Sequence, residues 1–96
     1  MIGVIVTFQD DQRLDRGVIA KIAAEASTMF RGMPGLRTKA FTIDEDDSRA
    51  RNIYLWDDDA AARAFFNDEL TARVTGLYGM KPTIEFVDVL ELVDNS

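Results

Sequence analysis

The sequence predicts an α+β fold in which four strands form one antiparallel sheet with helices packed on it, in the order β-α-β-β-α-β. Three observations predict it. Short runs of β-branched and aromatic residues, such as Asn52-Ile53-Tyr54-Leu55-Trp56, alternate with longer stretches of helical periodicity. Two turn clusters, Gly32-Met33-Pro34-Gly35 and Asp44-Glu45-Asp46-Asp47-Ser48, bracket a strand and make the middle of the chain a hairpin. The chain has 96 residues, the length of a single domain spanning 1–96, and shows no repeat, linker or low-complexity segment.

Ile2 to Phe8 is almost continuously apolar, as a central strand is. Gln9 to Arg13 reads as a polar loop. Asp15 can cap a helix running to about Arg31, with Val18, Ile19, Ile22, Ala23, Ala26, Met29 and Phe30 on one apolar stripe. Arg31 falls in its last turn, where a cation suits the helix dipole, and Gly32 to Gly35 stops it. Leu36 to Asp44 is the second strand and Arg51 to Trp56 the third, joined by the acidic tip. Asp57 or Asp58 caps the second helix, whose buried side is Ala61, Ala64, Phe65 and Phe66. A further helical segment from about Glu69 to Tyr78 carries Leu70, Val74 and Leu77 and is punctuated by Gly79 and Pro82. Thr83 to Val93 reads as a long fourth strand. Right-handed crossovers then place both helices on one face of the sheet, the ferredoxin-like arrangement.

The other face should be polar if water meets it, and it is not. Ile53 and Leu55 oppose Tyr54 and Trp56 on the third strand, and Val87, Val89 and Val93 oppose Ile84, Phe86, Leu90 and Leu92 on the fourth. A second copy of the chain is the simplest cover, so a homodimer packed sheet on sheet is expected, with a greasy-faced monomer as the alternative.

Composition narrows the chemistry. Eleven Lys and Arg against 17 Asp and Glu give a formal net charge of -6, and the basic residues form no stripe, so neither nucleic acid nor a membrane surface is an expected partner. There is no cysteine, hence no disulfide frame and no thiol chemistry. No basic segment precedes an apolar one at the start and no apolar run reaches membrane-span length, so the expected location is the cytoplasm. Histidine is absent too, which removes the commonest general base, the Ser-His-Asp arrangement and the usual zinc or haem ligand. The acidic tip from Asp44 is not a calcium loop, since Arg49 stands where the mid-loop glycine belongs and Leu55 where the bidentate glutamate belongs. The turn from Gly32 to Gly35 lacks the Gly-Lys-Ser/Thr of a phosphate loop. Asp57-Asp58-Asp59 is explained by capping and the helix dipole. No metal site is expected.

Strand side chains alternate, so Asn52, Tyr54 and Trp56 share one face, and an amide, a phenol and an indole there can hold a small organic molecule. Lys39 shares its strand face with Arg37, Phe41 and Ile43; in a cavity its ammonium can steady a substrate anion, and burial would lower its pKa. Each residue also has a purely structural reading: Asn52 bonding backbone or solvent, Trp56 packed under the second helix, Tyr54 reaching water, Lys39 guarding an edge strand, Tyr78 a packed turn aromatic, and Phe30, Phe65 and Phe66 plain core.

Met33-Pro34-Gly35-Leu36, then Lys39 and Phe41, then Ile53-Tyr54-Leu55-Trp56 leading into an Ala- and Phe-rich helix, resembles the dimeric α+β barrel superfamily, and within it the YdhR-like group and the wider antibiotic-biosynthesis monooxygenases. The resemblance covers nearly the whole chain. It implies a homodimer with one cavity per subunit between sheet and helices. It also implies oxidation of polyketide-like aromatic substrates by molecular oxygen with no metal or flavin. An Asn and a Trp four residues apart on the third strand serve that chemistry, and Asn52 and Trp56 match the spacing. The haem-degrading branch needs a histidine ligand that this chain lacks. The leading expectation is therefore a cofactor-independent monooxygenase with Asn52, Tyr54 and Trp56 as catalytic residues and Lys39, Phe41, Phe66 and Tyr78 as substrate-binding ones. No residue is an obvious proton acceptor. A non-catalytic small-molecule-binding or stress-associated dimer is the alternative, and isomerase-type proton transfer a third.

Overall fold

A computed structural model describes residues 1–9 and 14–95. The elements are β1 (Ile2–Gln9), α1 (Arg16–Phe30), β2 (Leu36–Asp44), β3 (Arg49–Trp56), α2 (Asp59–Phe65), α3 (Asp68–Tyr78) and β4 (Thr83–Asp88). One four-stranded sheet has the order β2-β3-β1-β4 with every neighbouring pair antiparallel, which is the ferredoxin-like fold. Gln9 closes β1, and the remainder of the expected polar loop, residues 10–13, lies outside the described residues.

Alternation along the two central strands decides which side is core. Ile2, Val4, Val6 and Phe8 of β1 are buried, as are Ala50, Asn52, Tyr54 and Trp56 of β3. Ile19 and Ile22 of α1 and Ala62 of α2 close over them, with Ile84 and Phe86 of β4 packed at the side. The helices are set by their caps. The Asp15 carboxylate accepts from the Gly17 N–H, Asp58 from Ala61, and Asn67 from Leu70. Gly79, at φ 77°, ends α3 in the left-handed conformation that glycine adopts without strain.

Several expected boundaries move, each for a local reason. β3 begins at Arg49, because Arg49 and Ala50 already pair with Asp44 and Ile43 across the hairpin. α1 ends at Phe30, leaving Arg31 as an extended cap residue outside the last turn. β4 stops at Asp88, not Val93. Its only strand neighbour among the described residues is β1, Asp88 pairs with Ile2, and one more bond from the Val89 N–H to the Met1 carbonyl uses up that partner. Leu90 and Val93 beyond it are exposed. The expected helical stripes are also narrower: Val18 and Met29 of α1 and Leu77 of α3 are exposed, and Ala62 takes the buried place expected of Ala64.

The turn before β2 is where sequence constrains geometry most tightly. Gly35 has φ +83°, its carbonyl accepts from the Asp57 N–H at 2.8 Å, and a Cβ there would stand 3.0 Å from the Ala61 Cβ. Gly32 has φ +71° but faces open space. Gly35→Ala is expected to cost about 2 kcal/mol or more, the left-handed penalty plus the clash, and Gly32→Ala about 1 kcal/mol. Urea denaturation checks this through the midpoint at unchanged m-value.

Candidate functional site

The aromatic residues divide the space between sheet and helices into a filled half and an open half. In the filled half Tyr54, Trp56, Phe65 and Phe66 interlock: Phe66 meets Tyr54 edge-on with centroids 4.9 Å apart, Phe65 lies 5.3 Å from Trp56, and Phe86 adds a further edge 6.1 Å from Phe66. In the open half α3 stands off the sheet and reaches the core through Val74 and Tyr78. What remains is a hollow of about 280 Å³, close to the lower limit of small-molecule sites. Its floor is Lys39 and Phe41 of β2 with Asn52 and Tyr54 of β3. Its walls are Ile22, Glu25, Ala26, Met29 and Phe30 of α1, Phe65 of α2, and Leu70, Arg73, Val74, Leu77 and Tyr78 of α3. Met29 and Leu77, the large apolar side chains that left the expected stripes exposed, line it.

A register irregularity brings Lys39 here. Leu36 pairs with Trp56 and Thr38 with Leu55, so Arg37 is an extra residue in the ladder. Lys39 then stands opposite Tyr54 and Phe41 opposite Asn52, on the helix side. Arg37, expected on that same face, points out and meets Asp57 at 3.6 Å.

Two polar pairs sit on the floor. The Lys39 ammonium donates to the Tyr54 hydroxyl at 2.7 Å and lies over the rings of Phe30 at 3.4 Å, Phe41 at 4.1 Å and Tyr54 at 4.3 Å. Burial lowers its pKa from 10.5 to about 7, against the pull of the three rings, whose faces favour the cation. At neutral pH the amine is therefore present both with and without its extra proton. The Asn52 amide donates to the Tyr78 hydroxyl at 3.2 Å, and the Tyr78 ring stacks on Phe8 at 3.7 Å. Burial pushes the Tyr54 phenol far up, with the Tyr78 oxygen adding to it. Burial also raises Tyr78, and the Asn52 hydrogen bond works against that rise. Both phenols stay protonated at neutral pH, each accepting one of these hydrogen bonds while keeping an O–H of its own to donate.

Five of the seven residues expected at the site line the hollow: Lys39, Phe41, Asn52, Tyr54 and Tyr78. Trp56 and Phe66 do not. Trp56 is 1% exposed inside the aromatic block, and its indole N–H has no acceptor among the described residues. It touches the site through Tyr54, on which it stacks with centroids 6.3 Å apart. Phe30 joins the site although its spacing reads as core. Glu25 and Arg73 join it as the charged rim, and helical spacing alone gives no signal for them because the hollow they border is invisible in sequence. Among the described residues no group of three or more His, Cys, Asp or Glu is placed to hold a metal ion. No helix among them is long and apolar enough to cross a membrane.

No protein-family model and no curated protein sequence matches this chain. Solved structures do. A monooxygenase from the gene ActVA-Orf6 of Streptomyces coelicolor, in complex with the ligand nanaomycin D, superposes with a TM-score of 0.69 at 19% identity, over 99% of this chain and 92% of its own. A mutant of SnoaB, a cofactor-independent oxygenase from Streptomyces nogalater, gives 0.67 at 17% identity, over 96% and 95%. A structure described as an antibiotic biosynthesis monooxygenase gives 0.67 at 17% identity, over 95% and 100%. At these identities the likeness shows a shared fold alone, and none of these three structures bears on the narrower YdhR-like group.

The lowered Lys39 carries a stability signature. Its folded pKa lies below the unfolded one, so the unfolded chain binds more protons between about pH 7 and 10.5, and stability rises with pH across that window. The burial cost is fully present below pH 7 and gone above 10.5. Lys39→Met is expected to raise the thermal midpoint at pH 7 and to lose that advantage as the pH approaches 10.5, which calorimetry across the range checks.

Proposed function

We propose that the hollow binds a small electron-rich aromatic or polyketide-like molecule and that the chain is a monooxygenase needing no cofactor for its chemistry. The observation that carries this reading is the Lys39–Tyr54 pair, an amine that donates to a phenol oxygen at 2.7 Å on the floor of an apolar hollow and that burial makes easy to deprotonate. The names of two structural neighbours, one a monooxygenase and one a cofactor-independent oxygenase, support it by analogy of fold.

In this reading the neutral Lys39 amine removes a proton from an enol, a phenol or an activated CH₂ of the substrate. The ammonium so formed stays over the rings of Phe30, Phe41 and Tyr54 and steadies the anion. The Tyr54 and Tyr78 hydroxyls and the Asn52 amide fix the substrate oxygens. The electron-rich anion reduces dioxygen itself. For an anthrone-like substrate the CH₂ becomes a carbonyl, one atom of dioxygen becoming the new carbonyl oxygen and the other leaving as water with the two hydrogens. Trp56 acts as a positioning residue by holding the Tyr54 ring. The amine supplies the proton acceptor that composition alone does not reveal.

The open sheet face supports a homodimer. Ile53 and Val87 are 45% and 41% exposed there, beside Ile5 and Leu55. Light scattering after gel filtration is expected to give twice the 10.8 kDa of one chain, and Ile53→Asp to give one. A wild-type mass of one chain contradicts the dimer.

Oxygen uptake with an anthrone tests the activity. The rate is expected to rise as Lys39 loses its proton, with a midpoint at about pH 7, and Lys39→Met to remove that step and lower the rate about 100-fold or more. Asn52→Ala and Tyr54→Phe lower it less, and Trp56→Ala acts on turnover more than on substrate affinity. Saturable anthrone binding without oxygen consumption overturns the oxygenase and leaves a binding protein.

A further inference from the structure

The hollow is not the only concavity that Lys39 borders. Adjoining it, with Phe30, Lys39 and Phe41 lining both, a second, shallower depression of about 320 Å³ lies where α1 ends and β2 begins. It is lined also by Arg31 and Arg37 and by no carboxylate. Three cationic residues bordering one depression run against the chain's net charge of -6. Arg31 makes no ion pair among the described residues. Arg37 has the loose, half-exposed contact with Asp57 at 3.6 Å, worth little in water. The carbonyl end of α1 brings about half a negative charge, less than either guanidinium.

We infer that the two concavities are halves of one extended site, the inner hollow taking an aromatic ring and the outer depression a carboxylate on that ring system, held by Arg31 and Arg37 with Lys39 at the junction. The natural ligand is then an aromatic acid. A carboxylate accepts in-plane hydrogen bonds from a guanidinium, which an uncharged polar group matches poorly. The inference rests on the inner hollow as an aromatic site and not on the oxygen chemistry.

Calorimetric titration of the intact protein with 2-naphthoate and, separately, with the neutral 2-naphthamide tests it. Naphthoate is expected to bind about tenfold tighter at low salt, with the advantage shrinking as salt screens the arginines. Arg31→Ala with Arg37→Ala is expected to remove most of that advantage, leaving only what Lys39 supplies, and the Arg→Lys pair to retain more of it. Both positions are exposed, and the salt series on the unmodified chain needs no variant. Equal affinities overturn the inference, as does an advantage that the double alanine substitution leaves undiminished. Failure of both ligands to bind overturns it together with the aromatic hollow. A carboxylate preference with no oxygen uptake on any anthrone sustains it and removes the oxygenase.

Discussion

An amine set among aromatic rings between a sheet and its helices costs free energy unless it has a hydrogen-bond partner or gives up its proton, and Lys39 does both. The Tyr54 hydroxyl accepts its hydrogen bond at 2.7 Å, and burial brings its pKa to about 7. Much else at the site depends on that accommodation. It requires Lys39 and Tyr54 to stand opposite each other on the helix side, which the register irregularity after Leu36 arranges. It requires an open space above the pair, because an amine pressed against a fully packed layer could neither exchange a proton nor meet a ligand.

That space exists because large side chains are distributed unevenly. Trp56, Phe65, Phe66 and Phe86 crowd one end of the interlayer region, where Ala62 lets α2 come close. At the other end Ala26 of α1 contributes only a methyl group, and Met29, Leu70 and Leu77 border the hollow without filling it. Packing the aromatic end densely gives the fold its stability, and leaving the other end open gives it a place for a guest. A core that closed over Lys39 would be more stable and chemically inert.

Much of this was legible in the residue order. The alternation of Asn52, Tyr54 and Trp56 put them on one face, and the turn residues at Gly32 to Gly35 fixed where β2 begins. Four things were not. A ladder irregularity depends on how two strands meet, so Arg37 could not be told from Lys39 by parity. The length of β4 is set by where β1 starts to pair, so the apolar alternation out to Val93 overstated it. The fate of Trp56 depends on phenylalanines that approach from α2 and its C-cap, and only three-dimensional packing decides that the indole is sealed while Tyr54, two residues earlier, reaches the hollow. Proton-acceptor chemistry was hidden for a related reason, since a lysine becomes a base at neutral pH only through its surroundings.

The protonation of Lys39 carries the whole account, and it is directly observable. In chains labelled with ¹³C and ¹⁵N at lysine, the side-chain resonances of Lys39 can be followed through a pH titration and assigned against Lys39→Arg. The expected midpoint is about 7 for this one amine, far below the 10.5 of an ordinary lysine. A Lys39 resonance that stays that of the ammonium until the pH nears 10.5 would contradict it.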